Sequence, residues 1–282
     1  MRGPGRRTSR RDPYSDPRGT FAVIGGVLLP LGVIIGLLGL WEALARTGVM
    51  ADAFGINEAA QDLLVPAPSQ VAEALWEDRG LLVDHGGVTL QAILVGVAIS
   101  VVLGVLFAIA MHLSHTLRRA FYPLLIGSQT IPIPAIAPVL VIWFGFGVGP
   151  TLAVIALICF FPVAVSTLNG LRSVDPEAIR MMRTLDATRG TILRRVELPA
   201  ALPYFLVGAK IAAVLSAIAA VFGEYVSANE GIGFVIKQAQ AQLLTARVFA
   251  GVVVLSAFAL GLFALLSLLE RRYAWWGAKG LA

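Results

Sequence analysis

Long apolar runs, separated by short polar segments, dominate the chain and predict membrane-spanning helices. The runs lie at about 21–44, 87–113, 121–144, 150–170, 204–224 and 248–269. Each run is long enough for one helix to cross a hydrocarbon core of about 30 Å, which takes ~20 residues. The pattern therefore predicts an all-α integral membrane protein with about six transmembrane helices, which together form a transmembrane domain over residues 21–275.

The third and fourth spans are predicted from one uninterrupted stretch. Residues 120–171 contain 52 consecutive positions without Asp, Glu, Lys or Arg, which is about twice the length of one span. The glycines and the proline of segment 145–150 predict the turn at which the chain crosses back. Pro132, Pro134 and Pro138 predict a kink in the third span. Either the carbonyls freed by the kink face a pathway, or neighbouring helices compensate for it by packing.

The first span has two possible interpretations. Basic residues precede it and an Ala-Leu-Ala triplet at 43–45 follows it, as in a cleaved signal peptide. A signal core is usually ~7–15 residues long, whereas residues 19–41 provide 23 uncharged positions. We therefore expect a retained first helix, preceded by a disordered cytoplasmic tail over residues 1–20, which is rich in Arg, Pro, Gly and Ser.

Basic residues are distributed unevenly between the polar segments. With six spans and both termini on one side, 17 Lys and Arg residues fall on that side and four on the other, with Lys210 inside a span. Basic residues accumulate on the cytoplasmic side of membrane proteins. The bias predicts two cytoplasmic termini and a cytoplasmic segment 172–203. It also explains the net charge of +5 by contact with a lipid bilayer, without a nucleic-acid partner.

Composition and motifs argue against a catalytic role. The 282 residues are 57% hydrophobic and 14% charged, with no phosphate-binding Gly-x-x-x-x-Gly-Lys-Ser/Thr loop, zinc-protease motif or nucleophile elbow. The lone Cys159 is expected to be a small buried hydrophobe. His112 and His115 lack a carboxylate or thiol neighbour in the sequence and are interpreted as interfacial residues rather than metal ligands. We expect no catalytic residue, no metal site and no cofactor on this chain.

Segment 172–203 has the pattern of two short amphipathic helices. Asp175 is suited to cap the first helix with Pro176 at its first position. Apolar residues follow at helical spacing, and a second helical stretch begins after Asp186 and ends at Leu198-Pro199. The segment therefore predicts a protruding hairpin that can dock a partner.

This hairpin resembles the EAA loop of binding-protein-dependent ABC transporter permeases, in the branch for nitrate, sulfonates, taurine and thiamine precursors. Arg180, Met181 and Met182 replace the Glu-Ala-Ala of the motif, and Asp186 replaces its glycine. The residues that match the loop motif are Ala187, Ile192, Val196, Leu198, Pro199 and Pro203. Further matches are residues 128–134 (Ser-Gln-Thr-Ile-Pro-Ile-Pro), 137–138, 141–145, 222–225 and 230–233.

The resemblance implies a type I ABC importer permease in the bacterial plasma membrane. Its implied partners are a separate ATPase subunit that binds ATP and Mg, an external substrate-binding protein, and a second copy of the permease. The hairpin would supply a coupling helix to a groove of the ATPase. The implied contacts there are Asp186, Ala187, Arg189, Ile192, Arg194, Val196, Leu198 and Pro199, with the two arginines at the rim.

The resemblance also indicates a small organic solute as substrate. The candidates are a thiamine pyrimidine precursor, riboflavin, and an aliphatic sulfonate or nitrate-type anion. The candidate pathway residues are Gln129, Pro132, Pro134 and Glu224. Glu224 also fits an ordinary helix-end charge. The charged side chain of Lys210 either snorkels to the membrane interface or forms a buried ion pair. The alternative function is a secondary carrier or channel independent of ATP. That class predicts inverted repeats or a carboxylate relay, and the sequence displays neither.

Overall fold

The computed structural model describes residues 18–47, 55 and 64–276, with side chains from residue 29 onwards, and the described part is all-helical. Its helices are α1 (Arg18–Arg46), α2 (Pro68–Glu77), α3 (Arg79–Leu113), α4 (His115–Ser128), α5 (Ile133–Phe144), α6 (Val148–Leu171), α7 (Pro176–Thr184), α8 (Arg189–Ile192), α9 (Leu198–Ser227), α10 (Ile232–Ala241) and α11 (Thr245–Tyr273), with a π-helical turn at Leu193–Glu197. The predicted all-α membrane class is confirmed.

The described helices include five that are long and apolar enough to cross a membrane, or six when the bent pair α4–α5 is counted as one span. The chain divides after Ser69 into two units. The first unit contains α1, where the Glu42 carboxylate accepts the N–H of Ser69 at 3.1 Å. Residues 1–17 of the predicted tail lie outside the described residues. The retention of the first helix stays a prediction.

Helices α3, α6 and α9 form the core of the second unit, and they approach one another closely at glycines. A Cβ at Gly96 on α3 would lie 2.6 Å from a methyl carbon of Ile155 on α6. A Cβ at Gly208 on α9 would lie 2.5 Å from the carbonyl oxygen of Pro162 on α6. Small residues at helix contacts allow the close packing on which membrane helix bundles depend.

The third predicted span, 121–144, is divided in the structure into α4 and α5, which meet at an angle of 107°. The break falls at residues 129–132, and Pro132 and Pro134 explain it. Neither proline has an N–H to donate to a preceding turn, and Pro132 adopts an extended conformation at the cap of α5. The proline run therefore produces a broken helix rather than the kinked one expected from sequence.

The hairpin is the segment 172–203, which contains α7, α8, the π-helical turn and the start of α9. The predicted end of the second helical stretch at Leu198-Pro199 is wrong, because Pro199 lies in the first turn of α9, where a proline is tolerated. The second arm continues without interruption into α9, so that Arg189–Ser227 forms one helical stretch of 39 residues.

Candidate coupling and translocation sites

Helix α7 exposes an apolar face on an otherwise polar surface. Asp175 caps it by accepting the N–H of Glu177 at 2.8 Å, and Pro176 occupies its first turn. None of its described side chains is buried. Met181 in α7 and Leu185, the residue that caps the end of α7, are 67% and 68% exposed. A pair of exposed apolar side chains on a protruding helix is suited to contact a partner surface.

The turn after α7 has the geometry that a glycine would adopt. Asp186 has a φ of +55°, in the left-handed region that short polar side chains tolerate better than other non-glycine residues. The N–H of Ala187 then donates to the carbonyl of Met182 at 3.1 Å. Thr188 caps the second arm by accepting the N–H of Thr191 at 3.3 Å. Asp186 thus makes the turn expected of the motif glycine.

The structure separates the implied coupling residues into exposed and buried positions. Ile192 is 1% exposed and packs inside this chain, because its side of α8 faces the helix bundle. The coupling contact implied for Ile192 therefore does not match its position in the described chain. The other implied apolar and rim positions are either half-buried (Ala187, Val196, Leu198) or exposed (Asp186, Arg194, Pro199).

Arg189 participates in an ion cluster, defined here as His112, Arg189 and Glu197. Nη1 of Arg189 donates to Oε1 of Glu197 at 2.8 Å. Nε2 of His112, at the end of α3, lies 2.9 Å from Oε2 of Glu197 and 2.9 Å from Nη2 of Arg189. The Glu197 residue is fully buried. Arg189 therefore binds within its own chain. His112 belongs to α3, whereas His115 begins α4.

At a different place in the second unit, three side chains accept three consecutive backbone N–H groups at the start of α10. The N–H of Gly231 donates to Nδ1 of His85 at 2.9 Å. The N–H of Ile232 donates to Oγ1 of Thr89 at 2.8 Å, and that of Gly233 to Oε2 of Glu224 at 2.7 Å. The first N–H groups of a helix lack partners within it. These acceptors, termed the α10 clamp, link α10 to α3 and α9.

Glu224 also lies beside a cavity of about 240 Å³. The cavity is lined by α3, by the start of α6 and by the end of α9; its polar lining residues are Thr151, Glu224, Asn229 and Glu230. Glu224 is 2% exposed, so it is not the ordinary helix-end charge considered above. The exposed Gln129, Pro132 and Pro134 lie instead at the bend between α4 and α5.

Lys210 forms an ion pair that is half-buried rather than buried. Its Nζ lies 2.6 Å from Oε2 of Glu270 near the end of α11. The ammonium also lies 5.8 Å from the ring centroid of Phe263. The pair connects α9 with α11.

Sequence reasoning missed His85, Thr89 and Glu197 as participants in these sites. The spacing of His85 and Thr89, four residues apart on one helix face, was an available signal. Glu197 is an acidic residue directly before Leu198-Pro199 in an apolar context. The partner of each lies far away in the sequence, and no local pattern identifies such a partner.

The apolar spans, the projecting hairpin with its exposed helix and the polar-lined cavity define a membrane transport subunit. Residues 100–275 match the family described as binding-protein-dependent transport system inner membrane component. The chain belongs to this family and is a permease subunit of an ABC importer in a bacterial membrane. The family is one of transport permeases rather than catalytic subunits, and an ATP-independent carrier is not favoured.

Named relatives cover most of the chain. The formylaminopyrimidine transport permease protein ThiX of Halalkalibacterium halodurans is 35% identical over 244 residues, covering 86% of this chain and 93% of that protein. The taurine transport system permease protein TauC of Escherichia coli is 33% identical over 257 residues, covering 89% of this chain and 90% of that protein.

A similar fold occurs in a solved structure of the MetNI methionine ABC transporter in inward-facing conformations. Its chain aligns with a TM-score of 0.56 at 19% identity, covering 67% of this chain and 96% of that chain. At this identity the likeness concerns the fold.

Proposed function

We propose that this permease works as a pair of identical copies, each docked to a separate ATPase subunit, and that it receives a small organic solute from an external binding protein. The observation that carries the proposal is the exposed apolar face of α7 on the hairpin. Membership of a binding-protein-dependent family supports both the ATPase and the binding protein as partners.

The ATPase would contact the tip of the hairpin. Met181 and Leu185 supply the exposed apolar surface, and Ala187 and Arg194 lie beyond the turn at Asp186. Burying one aliphatic side chain contributes about 1.5–3 kcal/mol, so two such contacts are a substantial part of a docking energy. In this arrangement Ile192 supports the second arm from inside the chain rather than touching the ATPase.

ATP and Mg would bind to the partner alone, because this sequence lacks a phosphate-binding loop. The test is to measure ATP hydrolysis by the purified permease and by the permease reconstituted with its ATPase. We expect hydrolysis only in the complex. Sustained hydrolysis by the permease alone would contradict the proposal.

Both termini and the hairpin are proposed to be cytoplasmic, with the start of α10 and the cavity towards the outside. The support is the distribution of basic residues, 17 against four. A reporter fused after Gly190 should report a cytoplasmic position, and one fused near Gly55 an external one. The reverse result at either point would overturn the orientation.

The proposed substrate is a small organic solute of the kind named for the relatives. A formylaminopyrimidine and taurine are the first two to test, and riboflavin, named for a relative in Chloroflexus aurantiacus at 34% identity, is the third. Calorimetric titration of the cognate binding protein with each solute decides between them, since that protein delivers the substrate. Failure of all three to bind would contradict the proposed substrate range.

A further inference from the structure

The ion cluster joins two parts of the chain that the hairpin alone does not connect. Glu197 ends the π-helical turn at the base of α9, Arg189 begins α8, and His112 belongs to the last turn of α3. The contacts of 2.8 Å and 2.9 Å described above therefore attach the second arm of the hairpin to α3. The chain itself connects the second arm only to α9, whereas the cluster adds a contact with α3.

The burial of Glu197 makes its carboxylate dependent on its partners. The residue is fully buried, and an ionised carboxylate in such a place requires charged or hydrogen-bonding partners. Removing one partner of a buried ion pair is far more disruptive than removing an exposed one. Arg189 supplies a full positive charge, and His112 supplies a second polar contact from another helix.

Arg189 connects the other two members of the cluster. Its Nη1 donates to Oε1 of Glu197 at 2.8 Å, and its Nη2 donates to Nε2 of His112 at 2.9 Å. Oε2 of Glu197 lies 2.9 Å from the same ring nitrogen but has no hydrogen-bond partner among the described residues. The guanidinium therefore supplies the hydrogen bonds that hold His112 and Glu197 together.

We propose that Glu197 is a positioning residue for transport, and that through His112 and Arg189 it makes α3 and α9 move together when the hairpin is displaced. This inference rests on the proposed docking of an ATPase to the hairpin. Closure of the ATPase subunits would then displace α3 as well as α9, and both helices line the cavity.

The experiment uses the complete transporter in lipid vesicles, with ATP hydrolysis and solute uptake measured on the same samples. Glu197→Gln preserves the size of the side chain and removes its charge. We expect it to retain the ATPase subunit but to lower the number of solute molecules transported per ATP about tenfold, within the range of about 5- to 150-fold typical of coupling between sites. Arg195→Gln is the matched control, since Arg195 is an exposed neighbour outside the cluster, and should match the wild type.

Two further variants distinguish a positioning role from a purely structural one. Residues that act as one unit have non-additive effects, so Glu197→Gln combined with His112→Ala should be no worse than Glu197→Gln alone. If Glu197→Gln does not accumulate, Arg189→Gln replaces it, because the side chain of Arg189 is 43% exposed and its change leaves the buried Glu197 in place; we then expect about a fivefold loss of transport per ATP.

The outcomes separate this inference from the proposed function. Wild-type transport per ATP in the folded Glu197→Gln variant, or in Arg189→Gln where that variant replaces it, would overturn the role of Glu197, as would a parallel fall of uptake and hydrolysis in the folded variant. If the wild-type permease itself does not bind an ATPase subunit, the proposed function fails instead.

Discussion

The α10 clamp and the hairpin are both short helical segments attached to the same bundle, but different interactions position them. The start of α10 is positioned by side chains from α3 and α9, which accept three successive backbone N–H groups at 2.7–2.9 Å. Helix α7 is positioned by its own cap and turn, and none of its described side chains is buried. The first segment is therefore tied to the bundle, whereas the second presents its surface to a partner.

This difference determines the expected effects of substitution. Changes in the clamp leave buried polar groups unpaired, so they should reduce stability before they affect any partner. Met181 and Leu185 are about two-thirds exposed, so changes there should affect assembly much more than stability. Ile192 tests the distinction between buried and exposed positions, because it belongs to the hairpin in the sequence but is buried inside the bundle in the structure.

The largest expected effect is the contrast between Ile192→Asp and Leu185→Asp. The first places a carboxylate in a fully buried apolar position, which belongs to the mutations that cost more than about 4 kcal/mol. We expect this variant not to accumulate as folded permease. Leu185→Asp should fold normally but lose the ATPase subunit.

Both variants are compared by size-exclusion profile in detergent and by co-purification of the ATPase. Arg195→Gln again provides the exposed control. The distinction between buried and exposed hairpin positions is wrong if Ile192→Asp folds like the wild type, or if Leu185→Asp retains the ATPase subunit in full.

The next effect concerns Gly231 in the clamp. Its φ is +106°, and a Cβ there would lie 2.4 Å from Cδ of Glu224. Gly231→Ala combines backbone strain with a clash against a buried side chain, so we expect a loss of about 3 kcal/mol or more. Gly190→Ala is the control, because Gly190 lies in a helix of the hairpin with no heavy atom within 4 Å of such a Cβ. Thermal unfolding in detergent measures both, and equal melting temperatures would contradict the clamp.

The sequence predicts the first arm and the turn of the hairpin, but not the end of the second arm, because the determinants of the first arm and the turn are local. Asp175 and Pro176 start α7, Asp186 forms the turn, and apolar spacing marks the helices. The clamp is not predictable in this way, since the acceptors of Gly231 and Ile232 lie more than 140 positions away. The same limit applies to Glu197, whose partner His112 is on another span. Local patterns give helices and turns, whereas pairings between spans require the three-dimensional arrangement.

A smaller effect is expected at Thr89, and a second buried threonine provides the comparison. Thr89→Val removes the acceptor of the Ile232 N–H and leaves that group buried without a partner, at a cost of about 1–3 kcal/mol. Thr167 is also buried, but its hydroxyl has no hydrogen-bond partner in the structure. Thr167→Val should therefore be neutral or slightly stabilising. Thermal unfolding of the two variants should differ clearly, and an equal loss in both would show that Thr89 contributes only through packing.

The smallest effect is expected at the turn of the hairpin, where Asp186 has a φ of +55°. A left-handed conformation costs an L-residue roughly 1–2 kcal/mol, and less for Asp than for most residues. Glycine removes this cost but loses more conformational entropy on folding, by roughly 0.5–1 kcal/mol relative to alanine. The two terms nearly cancel, so Asp186→Gly should change stability by less than about 1 kcal/mol and should leave ATPase binding intact.

Asp186→Ala keeps the left-handed strain, which alanine tolerates less well than Asp, so this variant should be less stable than Asp186→Gly. Unfolding midpoints and co-purification measure both properties. If Asp186→Gly releases the ATPase subunit while folding normally, the carboxylate itself contacts the partner, and Asp186 is then more than a turn residue.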